Sequence, residues 1–296
     1  MKGIGSNPNK FKVLQPLNIS TSKEDLSRTK NESQSDIESN KTIKGIKQLP
    51  YNKIEYLPKI EIINVSNDKT LANSFRLATV KCFLNICLNG QVEELFVLKD
   101  KFGLTPADVR ANNNRVLQHS AEKGHANILR FLKNGFGLTI DDARANNNNA
   151  LIGAAKDGHV EVLRVLKDDF GLTADDARAG NNYALRWAAN RGHVEVLRVL
   201  KDHFGLTVDD ARTDNNTALR KAALNGHLEV LRFLKHEFGL TIDDARAENN
   251  EVVRFDYSAL KDAAGHGHLE VLRFLKDDFG LTDEDARTQN NYALRW

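Results

Sequence analysis

Cysteine is nearly absent from this chain of 296 residues: Cys82 and Cys87 lie five apart and have no companions. Two thiols make neither a disulfide framework nor a zinc pattern, and they read as buried free thiols in a reducing compartment. No apolar run reaches membrane-spanning length, and the N-terminal MKGIGSNPNKFKVLQ holds none long enough for a signal peptide. An excess of one charge is missing too. The 42 Lys and Arg face 40 Asp and Glu, for a formal charge of +2, so composition offers no electrostatic case for nucleic acid or for a membrane surface. There is no nucleophile elbow, phosphate loop or HExxH helix. These absences predict a cytoplasmic, non-enzymatic protein with no cofactor and no metal.

What is present is repetition. Gly-His pairs begin at Gly124, Gly158, Gly192 and Gly226, every 34 residues, and the next begins at Gly267, 41 later. Phe-Gly-Leu-Thr keeps step from Phe102 to Phe279. The late step is a seven-residue insertion, EVVRFDY (Glu251 to Tyr257), after which the register resumes. A fixed period of this length marks a solenoid, in which each copy buries its apolar flank against the next.

One copy, NNYALRWAANRGHVEVLRVLKDHFGLTVDDARTD, shows the physics. ALRWAANR (Ala184 to Arg191) reads as a short helix whose Leu185, Ala188 and Ala189 form a small-residue face that admits a close neighbour. Gly192 ends it, since glycine takes the left-handed turn without steric cost. HVEVLRVLKDHF (His193 to Phe204) is a second, longer helix, with Val194, Leu197, Leu200 and Phe204 at helical spacing and Val196 and Val199 widening the stripe. Thr207 with Asp210 three residues on predicts a capped helical turn. Asn215-Asn216 then turns the chain back, because asparagine tolerates left-handed backbone.

Laid over Thr217-Ala218-Leu219-Arg220-Lys221-Ala222-Ala223-Leu224-Asn225-Gly226-His227-Leu228-Glu229-Val230-Leu231, the pattern resembles the ankyrin repeat, chiefly through A-A-x-x-G-H-x-E-V-L. Tetratricopeptide repeats share the period but need two helices of similar length, which a first helix of about eight residues does not supply. The resemblance implies an all-α or nearly all-α solenoid of stacked helical hairpins. The chain departs from the family where Ala-Arg replaces Pro-His and where F-G-L-T-x-D-D-A-R replaces the β-hairpin finger, so the finger is not expected. Divergent arrays of this kind resemble those of large DNA viruses of protists.

The expected organisation is a disordered polar tail (1–48), a linker or docking segment (49–70) that includes Tyr51 to Val65, and a solenoid (71–296). The solenoid opens on a degenerate cap repeat, where Ile86 and Cys87 take the paired-alanine positions and Gln91 replaces the histidine. Five regular helix pairs follow. The closing NNYALRW (Asn290 to Trp296) starts a further first helix, which reads as truncation of a longer array or as a stub shielding the last pair.

Two constellations invite chemistry and have structural explanations. His125, His159, His193, His227 and His268 recur once per repeat, at a spacing of roughly 8–10 Å between packed helices, whereas zinc gathers its donors within about 2.0–2.3 Å. A turn histidine bonded to neighbouring backbone is the expected role. The Asp-Asp pairs, such as Asp141-Asp142 and Asp175-Asp176, point apart on a helix and are explained as caps.

Other positions vary widely between repeats. After Asn-Asn come Arg115, Asn149, Tyr183, Thr217 and Ser258; two after the first-helix leucine come His119, Gly153, Trp187, Lys221 and Asp262. A row ranging from glycine to tryptophan cannot be tightly packed and is expected to face solvent, along the groove that the resemblance implies for partner binding. The candidate contacts are Tyr183, Arg186, Trp187, Asn190, Arg191, Arg220, Lys221 and Lys261, rich in the aromatics and arginine of interface hot spots. Phe255 and Tyr257 in the insertion form a second candidate contact. Trp187 reads equally well as half-buried between repeats, and the whole row as unconstrained surface. The expected function is a protein-interaction module, acting as a monomer on a protein partner and not on nucleic acid or membrane. The alternatives are a nucleic-acid-binding solenoid with a basic groove and a spacer array for a lost domain.

Overall fold

The computed structural model describes residues 79, 81–246 and 259–286, all within one unit, Leu49–Trp296. The expected tail, the docking segment, the insertion with Phe255 and Tyr257, and the closing NNYALRW lie outside the described residues. Among the described residues every regular element is helical, and no β finger is formed.

Each repeat is a helical hairpin followed by a capped turn. The second helices are Val92–Phe102, Ala126–Phe136, Val160–Arg164 with a wide turn over Val165–Asp169, Val194–Asp202, Leu228–His236 and Leu269–Asp277. Their apolar stripe lies inward: Val196, Leu197, Val199, Leu200 and Phe204 are all buried. Each such side chain contributes roughly 1.5–3 kcal/mol over its exposed state. The first helices bury their small pairs, Ala154-Ala155, Ala188-Ala189, Ala222-Ala223 and Ala263-Ala264, against neighbouring repeats. In the degenerate first repeat Ile86 and Cys87 fill these places and are also buried. Both cysteines are free, and burial pushes both thiols up, away from the reactive thiolate.

Gly192 closes the first helix Ala179–Arg191 with φ 83, and the His193 N–H donates to the Ala188 carbonyl at 2.9 Å. The short turns carry the expected capping boxes. In Ala174–Ala177, for example, the Thr173 N–H donates to Asp176 Oδ2 at 2.8 Å.

The turn back into the first helix differs from the loop suggested by Asn-Asn. Three successive residues adopt left-handed backbone at Asn112–Asn114, Asn146–Asn148, Gly180–Asn182 and Asp214–Asn216. The left-handed form costs an ordinary residue about 1–2 kcal/mol, and asparagine, aspartate and glycine are the types that visit it. The third residue of each turn is a buried asparagine.

Two ladders tie repeat to repeat. In the first, each Gly-His imidazole crosses to the preceding hairpin. His125 Nε2 donates to the Leu88 carbonyl, His159 to Glu122, His193 to Lys156, His227 to Asn190 and His268 to Leu224, at 2.8–3.0 Å. A carbonyl only accepts, so Nε2 carries the proton in every case. These histidines are structural, as expected of turn histidines bonded to neighbouring backbone.

The second ladder runs along the capped turns. Arg110 Nε donates to Asp142, Arg144 to Asp176, Arg178 to Asp210, Arg212 to Asp244 and Arg246 to Asp285, at 2.7–2.9 Å. Each Nη2 reaches the second carboxylate oxygen at 3.0–3.2 Å. This fork is the strongest geometry available to a guanidinium–carboxylate pair. The last rung, Arg246–Asp285, spans the insertion and so fixes the resumed register. The second Asp of each pair therefore does more than cap. It also anchors the preceding repeat.

This ladder makes stability depend on acid pH. Burial alone raises the carboxyls of Asp142, Asp176, Asp210 and Asp244, but the arginine forks and threonine bonds outweigh it and hold them low. The Arg246 fork, against the opposing effect of burial, holds Asp285 at about 2. A carboxyl depressed by folding stabilises fully above its unfolded value of about 3.9 and loses that contribution as pH falls through the folded value. Urea midpoints are therefore expected to be flat from pH 7 to 5 and to drop steeply below pH 4. An Asp210→Asn, Asp244→Asn double variant is expected to show a shallower acid drop from a lower plateau; an unchanged slope would remove these carboxyls from the account.

Candidate functional site

Leu185 and Ala188-Ala189 point the first helix Ala179–Arg191 into the stack, which leaves Tyr183, Trp187 and Arg191 at successive four-residue steps on the outward side. Tyr183 is exposed. Its ring meets Trp187 edge-on at 5.9 Å, and the Arg186 guanidinium lies 5.3 Å over it. Trp187 is half-buried, so of its two open readings the structure takes the one between repeats. Arg191 lies over its ring at 5.8 Å and Lys156, from the preceding repeat, at 5.7 Å. Contacts of this kind contribute about 0.5–1 kcal/mol each at exposed sites, and here they set the orientation of an aromatic pair in advance.

Arg186 is placed differently from its exposed neighbours. Its side chain is only 18% exposed and pairs with Asp214 of the next repeat, while Nη2 donates to the Gly180 carbonyl at 3.1 Å. It therefore braces the left-handed turn of its own repeat. Arg220, also half-buried, repeats the theme: Nε donates to the Asn215 carbonyl at 3.1 Å and Nη2 to Thr217 Oγ1 at 3.0 Å. In the earlier repeat Gln118 does the same for Asn113, donating to its carbonyl at 2.6 Å.

Asn190 is half-buried and accepts from Asn225 Nδ2 across the repeat boundary at 3.0 Å. Arg191 and Lys221 are exposed, and Lys261 is half-buried. Burial raises the Asp262 carboxyl, against the opposing charges of Arg220, Lys221, His266 and Lys261. The structure thus brings Tyr183, Arg186, Trp187 and Arg191 into one cluster, while Asn190 is bonded to Asn225 and Arg220 to its own turn. Sequence reading did not select Lys156 or Asp214, each of which reaches its partner only across a repeat boundary.

Among the described residues no group of three His, Cys, Asp or Glu side chains is placed to hold a metal ion. In the locally paired set, His266 binds the Asp262 carbonyl at 3.1 Å, and His268 is committed to its ladder rung. No helix among them is long and apolar enough to cross a membrane.

These features define a class: a solenoid of helical hairpins with a repeated packing face and a variable, partly aromatic outer row. Residues 185–234 match the family of ankyrin repeats (many copies), a window running from the first helix of one repeat through the second helix of the next. No curated protein matches the chain. Among solved structures it is similar to the ankyrin repeat domain of Bcl-3, described as a unique member of the IkappaB protein family. That similarity is 20% identity and a TM-score of 0.48, over 72% of this chain and 97% of the other. The family resemblance thus rests on residues 185–234, which are similar to ankyrin repeats.

Proposed function

We propose that this chain is a non-enzymatic adaptor that binds an extended protein segment along the outward face of its first helices. The observation that supports this most is the Tyr183–Trp187 pair. Two aromatics stand in a row whose other members include Gly153, Thr217 and Lys221, and Lys156, Arg186 and Arg191 hold them in one arrangement. Preorganised aromatic area binds at low entropic cost. Asn190 and Arg191 flank the pair, with Arg220 and Lys221 one repeat further on and Lys261 two. Phe255 and Tyr257 of the insertion remain a second, separate candidate contact on sequence grounds alone.

The test is capture of a partner from lysate by the full chain. Trp187→Ala with Arg191→Ala is expected to weaken the complex at least tenfold; because Trp187 is half-buried under Lys156 of the preceding repeat, the urea midpoint falls somewhat as well, and far-ultraviolet circular dichroism checks that the variant is folded. Arg186→Ala is expected to lower stability as well, because it releases Asp214 and the Gly180 turn. Unchanged affinity in the Trp187 and Arg191 variant would remove this face from the proposal.

A further inference from the structure

The last described hairpin differs from every earlier one on the side that faces onward along the stack. Leu151, Leu185 and Leu219 of the first helices are fully buried, as are Leu163, Leu197 and Leu231 of the second, whereas their counterparts Leu260 and Leu272 are only half-buried. The alanines of the capped turns, Ala177, Ala211 and Ala245, are buried too, and Ala286 is half-buried. Leu269 is 56% exposed, although Val194 and Leu228 at the same place are half-buried. The glycines agree. A Cβ on Gly124 or Gly226 would fall 2.6 Å from the imidazole of the following repeat, whereas one on Gly267 meets nothing within 4 Å. Leu260, Leu269, Leu272 and Ala286 thus make an apolar end face that the described residues leave open.

We propose that this chain covers that face itself, with residues 287–296 seated on the last hairpin in the register that residues 178–187 take on the hairpin before them. Asn290 to Trp296 repeats Asn181 to Trp187 letter for letter, and the earlier copy shows what these residues do. Asn182, Ala184 and Leu185 are buried, and their helix, Ala179–Arg191, packs against Ile140–Lys156, where Leu151 and Ala155 are sealed. Asn291, Ala293 and Leu294 bring the same side chains at the same spacing, and Leu260 and Ala264 offer the same receiving pair. Three residues separate Ala286 from Asn290, as three separate Ala177 from Asn181. A tether of that length spans about 10 Å at most, which holds the copied segment beside Leu260. Burial of the open leucines supplies the driving force. In this register Tyr292, Arg295 and Trp296 stand as Tyr183, Arg186 and Trp187 do, so the outward row gains a second aromatic cluster three repeat steps on, roughly 24–30 Å from the first. Use of that cluster as a second contact rests on the protein-binding reading above; the docking does not.

Two single-tryptophan forms of the full chain test the docking. Trp187→Phe reports on Trp296, and Trp296→Phe on Trp187. Their acrylamide quenching constants are expected to agree within about twofold. Leu294→Asp, added to Trp187→Phe, is expected to raise the quenching of Trp296 at least about threefold and to speed amide exchange in Ala259–Gly265. Gln289→Asp, added instead, brings the same charge to the place of Gly180, which is exposed and where the next repeat carries Asp214; it is expected to change neither reading. Far-ultraviolet circular dichroism checks that each variant is folded. Trp296 quenched as freely as tryptophan in solution, no response to Leu294→Asp, or an equal response to both aspartates would each overturn the proposal. None of these results touches Tyr183 or Trp187, so the protein-binding reading stands or falls by its own test.

Discussion

Asp210→Ala is expected to lower the unfolding free energy by roughly 2–4 kcal/mol, whereas Asp209→Ala, its neighbour of the same type, is expected to stay within about 0.5 kcal/mol. The difference lies in what each carboxylate touches. Asp210 accepts from the Thr207 N–H at 2.8 Å and from the Thr207 hydroxyl at 3.2 Å, and its loss removes a helix cap worth about 1 kcal/mol. It also accepts the Arg178 fork at 2.9 and 3.2 Å. Hydrogen bonds to charged groups contribute about 1.5–3 kcal/mol, discounted here because the arginine end is 38% exposed and screened. Asp209 is 88% exposed and only approaches Arg212 at 3.7 Å. Urea titration of the two variants, side by side, gives the comparison. Equal costs would mean that the ladder contributes nothing beyond general surface charge.

The second large effect is at Gly192. Gly192→Ala is expected to cost roughly 2–3 kcal/mol, against about 1 kcal/mol for Gly205→Ala, since both force alanine into left-handed backbone. Their φ values are close, +83 and +77, but their surroundings differ. A Cβ on Gly192 falls 2.9 Å from the His227 Nδ1, whereas one on Gly205 meets nothing within 4 Å. The imidazole must shift, and its bond to the Asn190 carbonyl at 3.0 Å goes with it, for about another 0.5–1.5 kcal/mol. Thermal or urea unfolding measures the gap between the variants. If Gly205→Ala proves as costly as Gly192→Ala, the histidine rung is not what holds glycine at that position.

Much of this architecture is legible in the sequence because it is local. The stripe from Val196 to Phe204, the Thr207–Asp210 cap and the Gly192 stop each follow from interactions within a few residues. What stayed hidden is non-local or had a sufficient local explanation already. The second aspartate of each pair was accounted for by its cap, so the arginine 32 residues upstream was not sought, although Asp and Arg recur in step in every regular turn. The asparagine turns read as loops suited to left-handed backbone, with no indication of how many residues adopt it. A run of three is intelligible only once the third, such as Asn182, is seen to be buried with its amide donating to Thr213 of the next repeat at 2.8 Å.

The outward row was legible as variation but not as geometry. Tyr183, Trp187 and Arg191 share a helix face by spacing alone, and that part follows from four-residue periodicity. Lys156 over Trp187, and Asp214 holding Arg186, depend on how one hairpin is seated against the next. Such pairings are set by the stacking register, which the period implies only in outline.

That register is the central claim, and distances between equivalent positions test it most directly. Glu93, Glu161, Glu229 and Glu270 occupy the same exposed place at the start of the first, third, fifth and sixth of the second helices. Spin labels at these sites, in a background lacking Cys82 and Cys87, can be read pairwise by double electron–electron resonance. Stacked hairpins place Glu93 and Glu161 about 16–20 Å apart and Glu93 and Glu229 about 32–40 Å, with Glu93 to Glu270 longer still. A Glu93–Glu270 distance no longer than Glu93–Glu161 would contradict the stacked array, and with it both ladders and the proposed binding face.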